Sequence, residues 1–166
     1  MATKLLNPRD VHAPAGPYSH TAAVPAGAEL VFLAGQVGMR PDGSVADGFA
    51  EQAEVTFENV RRCLAAHGLG VEAVVRLGVF VLPGQDLTVL RAIRERHFGA
   101  HRPTSTTVHV PQLASPAYLV EVEAIAVKPP PSPSSSHADR SAARRPQAKR
   151  NRKNERANER ESKGRR

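Results

Sequence analysis

The chain is poor in cysteine, with one, has no tryptophan, and has only five phenylalanines and two tyrosines among 166 residues. A lone cysteine excludes an intramolecular disulfide framework and a multi-cysteine zinc or iron–sulfur site. No stretch approaches the roughly 18 apolar residues of a membrane span. The opening Met1–Pro8 has no apolar core of signal-peptide length, so the expectation is a soluble cytoplasmic protein. Nucleotide signatures are missing too. There is no phosphate-loop pattern, and Gly35-Gln36-Val37-Gly38 is too short to count as one. His97 and His101 have metal-compatible spacing, but Gly99 interrupts them and no carboxylate follows suitably, so no metal is expected. No G-x-S-x-G elbow occurs.

What charge there is lies at one end. Residues 1–128 hold 11 Lys and Arg against 12 Asp and Glu, a net of −1, whereas residues 129–166 hold 12 against 4, a net of +8. The tail opens with Pro129-Pro130-Pro131-Ser132-Pro133, and its only aliphatic residue is alanine. Such a composition cannot offset its own ordering entropy, so disorder is expected over 129–166. Its basic run suggests weak, salt-sensitive contact with nucleic acid, without an aromatic for base stacking.

Residues 1–128 suffice for one core. Pro14-Ala15-Gly16-Pro17 is a turn, followed by short strands over Tyr18–Val24 and Glu29–Ala34. Asp47 is placed to cap a helix running to about His67, with Phe49, Ala53, Phe57, Val60 and Leu64 on one face. Cys63 adjoins that stripe and reads as a buried, inert thiol. Ala73–Leu82 is a nearly continuous apolar run, which suits a strand covered on both faces. Asp86 caps a second helix bearing Leu90, Ile93, His97 and Phe98 on one side and ending at Gly99; His97 reads as a packed residue. Strands follow over Thr104–Val110 and Leu119–Val127. In the last, Glu121, Glu123, Ile125 and Val127 share a face, and Glu123 sits among apolar neighbours, where a carboxylate must be paired or used.

This order gives an α+β layer, two helices on one face of a mixed sheet. Two helices cannot cover both faces. A second subunit is expected over the other, drawn by rows of Val and Ala.

Five segments in register then resemble one family. Ala15-Gly16-Pro17-Tyr18, Leu33-Ala34-Gly35-Gln36-Val37, Glu58-Asn59-Val60, Val79-Phe80-Val81 and Val122-Glu123-Ala124-Ile125-Ala126-Val127 are similar to the RidA family, also called YjgF or L-PSP-like, over about residues 5–128. The resemblance implies a chorismate-mutase-like fold and a homotrimer, its sheets forming a central barrel with ligand clefts between subunits. It also implies hydrolysis of 2-imino or enamine acids to 2-keto acids and ammonia, with no metal or organic cofactor. In that family an arginine clamps the substrate carboxylate, and a glutamate positions water. Carried over, Tyr18 and Glu123 take catalytic positions. Gly35, Ser105, Thr107, His109 and Arg91 take substrate-binding ones.

The chain departs from the pattern at the clamp. Pro103-Thr104-Ser105-Thr106-Thr107-Val108 puts Ser105 where the arginine would stand. A neutral hydroxyl in place of a charged fork weakens carboxylate binding by on the order of 10²-fold. Arg102, Arg91, Arg76 and His109 are the substitutes considered, His109 the best placed in strand alternation. Two readings follow. One is a trimer that binds a small metabolite between its subunits, either holding it without turnover or hydrolysing an imine, enamine or related substrate, with 2-iminobutanoate hydrolysis weak until Ser105→Arg restores the fork. The other is an active 2-iminobutanoate or 2-iminopropanoate deaminase using a different cation. An endoribonuclease reading, attached to some family members, finds no basic patch or paired histidines in the body.

Overall fold

The computed structural model describes residues 2–129; the expected disorder and polyanion binding of the tail lie outside them. The strands are β1 (Lys4–Leu6), β2 (Thr21–Ala23), β3 (Glu29–Val37), β4 (Val74–Val81), β5 (Thr104–His109) and β6 (Val120–Lys128), with helices α1 (Gly48–Ala66) and α2 (Leu87–Phe98). A single 3₁₀ turn, Val71–Ala73, leads into β4. The four longer strands form one sheet in the order β3-β6-β4-β5, antiparallel except for the β4–β5 pair. β1 and β2 make a separate small antiparallel ribbon.

Period-two alternation sorts β6 between two environments. Val120, Val122, Ala124 and Ala126 are buried beneath the helices, while Glu121, Glu123 and Ile125 face away. The Val and Ala rows expected to need another subunit are thus already covered within the chain. The uncovered face is different. It presents Leu30, Phe32 (69% exposed) and Val108 with Arg76, Glu121 and Glu123. For the same reason β4 is not fully enclosed: Leu77, Val79 and Val81 are buried, Phe80 is half-buried and Arg76 is exposed.

Both helices dock through the stripes that their sequences display. Ala53, Phe57, Val60 and Leu64 of α1 are fully shielded, with Phe49 and Cys63 packed beside them. α1 ends where Gly68 takes φ +69°, a conformation that a side chain would strain. At its start the Asp47 side chain makes no cap; instead Glu51 accepts from the Asp47 amide at 3.1 Å. His97 packs as expected, its ring against Phe57 and its Nε2 2.7 Å from Glu54.

At α2 the cap is made in full. The Asp86 carboxylate accepts from the Thr88 amide at 2.8 Å and the Thr88 hydroxyl at 2.6 Å. Those bonds hold its carboxyl below the usual carboxylate range. Asp86→Ala should therefore lower the melting midpoint by a few degrees at neutral pH. The deficit should fade in acid, as the wild-type carboxylate protonates through its lowered folded-state pKa. Paired melts at neutral and acidic pH check both parts.

Candidate functional site

β5 is the edge strand beside α2, and its register fixes which side chains enter the space between them. Ser105, Thr107 and His109 pair with Leu77, Val79 and Val81 of β4, the residues that β4 turns toward the helices. Ser105 and Thr107 therefore look into a cleft of about 260 Å³ under α2. The Ala15–Tyr18 turn closes one side, α2 contributes Leu90, Arg91 and Arg94, and Phe57 and Val79 form apolar wall. The turn is tied to the start of β5 by a bond from the Ser19 amide to the Pro103 carbonyl at 3.3 Å. The Tyr18 hydroxyl accepts from the Ala15 amide at 3.4 Å, so the ring folds back over its own turn.

Arg94 is the unusual member. It is 7% exposed, and its Nη1 donates to Ser105 Oγ at 3.1 Å. Its Nε and Nη2 are buried and find no acceptor among the described residues. Burial pushes the guanidinium pKa down to about 10; the nearby Arg102 pushes the same way and Glu95 opposes. The group still carries its charge at neutral pH, inside a largely apolar wall and with no carboxylate partner among the described residues.

The predicted site residues divide between two faces of the sheet. Tyr18, Ser105, Thr107 and Arg91 line the cleft together. His109 lies beyond it, exposed at the end of β5. Of the other substitutes, Arg102 is engaged by the Gly99 and His101 carbonyls and by Glu95, and Arg76 sits on the opposite face. Glu123 lies on that opposite face as well, in a second pocket of about 200 Å³ with Arg76, Phe32 and Ile125. Gly35, at an irregularity in the β3–β6 pairing, lies under Glu121 rather than Glu123: a Cβ there would meet Glu121 Oε1 at 1.7 Å. Glu123 covers Gly78 of β4 in the same way, at 2.4 Å. Each β6 glutamate thus lies across a glycine of an adjoining strand.

Sequence reasoning missed Arg94. The available signal was Leu90, Arg94 and Phe98 at i, i+4 and i+8, a cation inside the buried stripe. It also passed over His12 and His20, whose rings meet edge-on at 5.0 Å. Both are held in structural brackets, His20 Nε2 by the His12 carbonyl at 2.7 Å and His12 Nδ1 by the Ala13 carbonyl at 2.9 Å. No cluster of metal-ligating side chains occurs among the described residues.

A family model described as Endoribonuclease L-PSP matches residues 9–128. A RutC family protein of Aquifex aeolicus is 34% identical over 118 residues, covering 69% of this chain and 91% of its own. TdcF of Escherichia coli, which carries the provisional name of a reactive intermediate deaminase, is 31% identical over 103 residues, 60% of this chain and 79% of its own. Among solved structures, YyfB of Yersinia pestis, from the Rid protein family, matches with a TM-score of 0.69 and 26% identity over 76% of this chain and 98% of its own. The crystal structure of Escherichia coli TdcF with bound serine matches with a TM-score of 0.58 and 28% identity over 76% and 99%.

Proposed function

Since this chain belongs to the RidA family, also described as L-PSP, we propose that its cleft binds a small carboxylate-bearing metabolite and hydrolyses a 2-imino acid there. One observation carries the reading: among the described residues, those lining the cleft include two arginines, Arg91 and Arg94, and no Asp or Glu. A concave, largely apolar site of one charge sign selects a small ligand of the other. The serine held by TdcF, itself a carboxylate-bearing molecule, supports the ligand class.

In the reaction, water adds to the imine carbon. Collapse of the adduct then breaks the C–N bond, leaving a 2-keto acid and ammonia. A carboxylate to position that water is absent from this chain's cleft lining, and Glu121 and Glu123 lie on the far face of the sheet. The proposal therefore includes a homotrimer in which a neighbour's open face completes each cleft. The exposed Leu30, Phe32 and Val108 give that face a reason to be covered. Light scattering should return about three times the 17.8 kDa chain mass, and a stable monomer at micromolar concentration would defeat the assembly.

Turnover is tested by letting an amino-acid oxidase generate 2-iminobutanoate in the presence of the full-length protein. Faster loss of the imine, abolished by Glu121→Ala or Glu123→Ala, is the expected result. A second reading, binding without turnover, is favoured by the missing carboxylate in the cleft of one chain. A trimer that leaves the imine lifetime unchanged would establish it.

A further inference from the structure

Resting on the cleft reading above, we infer that Arg94 and Ser105 act as one composite anion reader, the cation standing on α2 and the hydroxyl on β5. The first ground is the hydrogen-bond inventory. A guanidinium only donates, so the bond at 3.1 Å makes Ser105 Oγ the acceptor. The single hydroxyl proton of Ser105 is then left to donate elsewhere, and Ser105 lines the cleft. Arg94 thereby orients the serine as a donor and strengthens that donation with its own charge.

The second ground is that Arg94 has no structural return. A buried cation with two unpartnered nitrogens disfavours the folded chain, and a well-packed apolar residue of similar volume would serve the core better. Arg102 adds charge of the same sign nearby, and Glu95 opposes it without bonding to Arg94. An uncompensated charge at the wall of a concave site is the mark of a group awaiting a counter-charge. Arg91, exposed at the cleft rim, lies on the same side and adds to the field.

The third ground is geometry. Nε and Nη2 are shielded by protein, so the guanidinium is not presented as an open fork. It works through the serine. Arg94 is therefore a positioning residue, and Ser105 is the group that touches the ligand. The anion is read by one directed hydrogen bond plus a fixed charge behind it, rather than by two parallel bonds.

The test uses full-length protein and two probes of one shape, 2-oxobutanoate and its uncharged amide, titrated calorimetrically. The wild type should bind the acid roughly 10- to 100-fold more tightly than the amide, the range that a charge-assisted contact supplies. Arg94→Met should bring the acid down to the affinity of the amide and leave the amide unchanged. Arg94→Lys should keep part of the preference. A second measurement needs no variant: the shielded Arg94 Nε–H should give a slowly exchanging arginine side-chain NMR signal that moves with the acid and not with the amide. An Arg94→Met protein that is folded and still prefers the acid would overturn the inference, as would a signal indifferent to the acid. A folded Arg94→Met protein that still prefers the acid leaves the cleft reading standing, whereas a wild type that binds both probes equally overturns the inference and the charge selection on which that reading rests. A wild type that binds neither overturns both.

Discussion

Ser105→Arg should destabilise the protein and bring no gain in activity, and adding Arg94→Leu should reverse the loss. From sequence alone the single substitution restores a planar donor fork. The structure changes the sign, because the space behind Ser105 is already held by Arg94 Nη1 at 3.1 Å. An arginine introduced there faces a cation and offers it no acceptor. Like charges about 4 Å apart at an effective dielectric near 20 repel by about 4 kcal/mol. Arg94 also loses its one hydrogen bond, which for a buried charged donor adds about 1–3 kcal/mol. Rotation of the new side chain toward solvent relieves part of this, so a net loss of about 3 kcal/mol is the expectation. Thermal denaturation should show a midpoint lower by roughly 10 °C. Removing Arg94 in the double variant removes that repulsion and leaves the guanidinium on the strand, beside Arg91 at the rim, free to take a carboxylate in two parallel bonds. Stability and 2-oxobutanoate binding should return together. A single Ser105→Arg variant as stable as wild type would show that Arg94 is not fixed behind the strand.

Gly38→Ala should be equally damaging, for a reason with no electrostatics in it. Gly38 follows β3, and a Cβ built on it would lie 2.5 Å from Gln52 Cβ and 2.6 Å from Gln52 Cα. The second of these is helix backbone and cannot swing aside. Gln52 is itself anchored: its Nε2 donates to the Ala46 and Ala117 carbonyls at 3.2 and 2.8 Å, and its Oε1 accepts from the Leu119 amide at 2.8 Å. One methyl therefore separates α1 from the sheet and strains a network that joins α1 to the approach to β6. Overpacking alone costs about 1–3 kcal/mol, and partial loss of a buried amide network adds to it. Chemical denaturation should show a loss near the upper end of that range. Gln52→Ala should not rescue it, because the offending Cα and Cβ remain. Rescue would mean that the long side chain, and not the backbone, sets the spacing.

Where the physics was local, the sequence was legible. Asp86 and Gly99 mark the ends of α2 because a cap acceptor and a positive-φ residue act on their immediate neighbours. The α1 stripe from Phe49 to Leu64 is visible because its steps are helical. β1 carries no strand signal of its own: Lys4-Leu5-Leu6 is three residues long, and only its pairing with Thr21–Ala23 makes it a strand. Gln52 and Arg94 are not legible in the sequence because polar residues beside an apolar stripe look like its solvent edge. Their burial depends on what the sheet brings over them, from Ala117 and Leu119 in one case and Ser105 in the other. The role of Gly38 was hidden for the same reason: a motif search asks what a glycine binds, whereas here it matters what the glycine leaves room for. Which glutamate of β6 meets Gly35 was beyond reach too, since the β3 irregularity between Leu33 and Gln36 decides it.

The two glycine–glutamate crossings on the uncovered face carry a consequence for how this protein would fail. With Gly35 and Gly78 beneath them, the carboxylates of Glu121 and Glu123 lie low, close to the plane of the sheet. A methyl under either one would tilt it upward like a tack under a carpet, raising a charged bump on that face. The lifted side chain has solvent to move into, so the isolated chain would hardly notice. In the trimer proposed above, the harm would fall on the neighbour docked there. Such a defect is graded by dilution: nearly silent in concentrated samples, severe in dilute ones, and invisible to any method that watches one chain at a time.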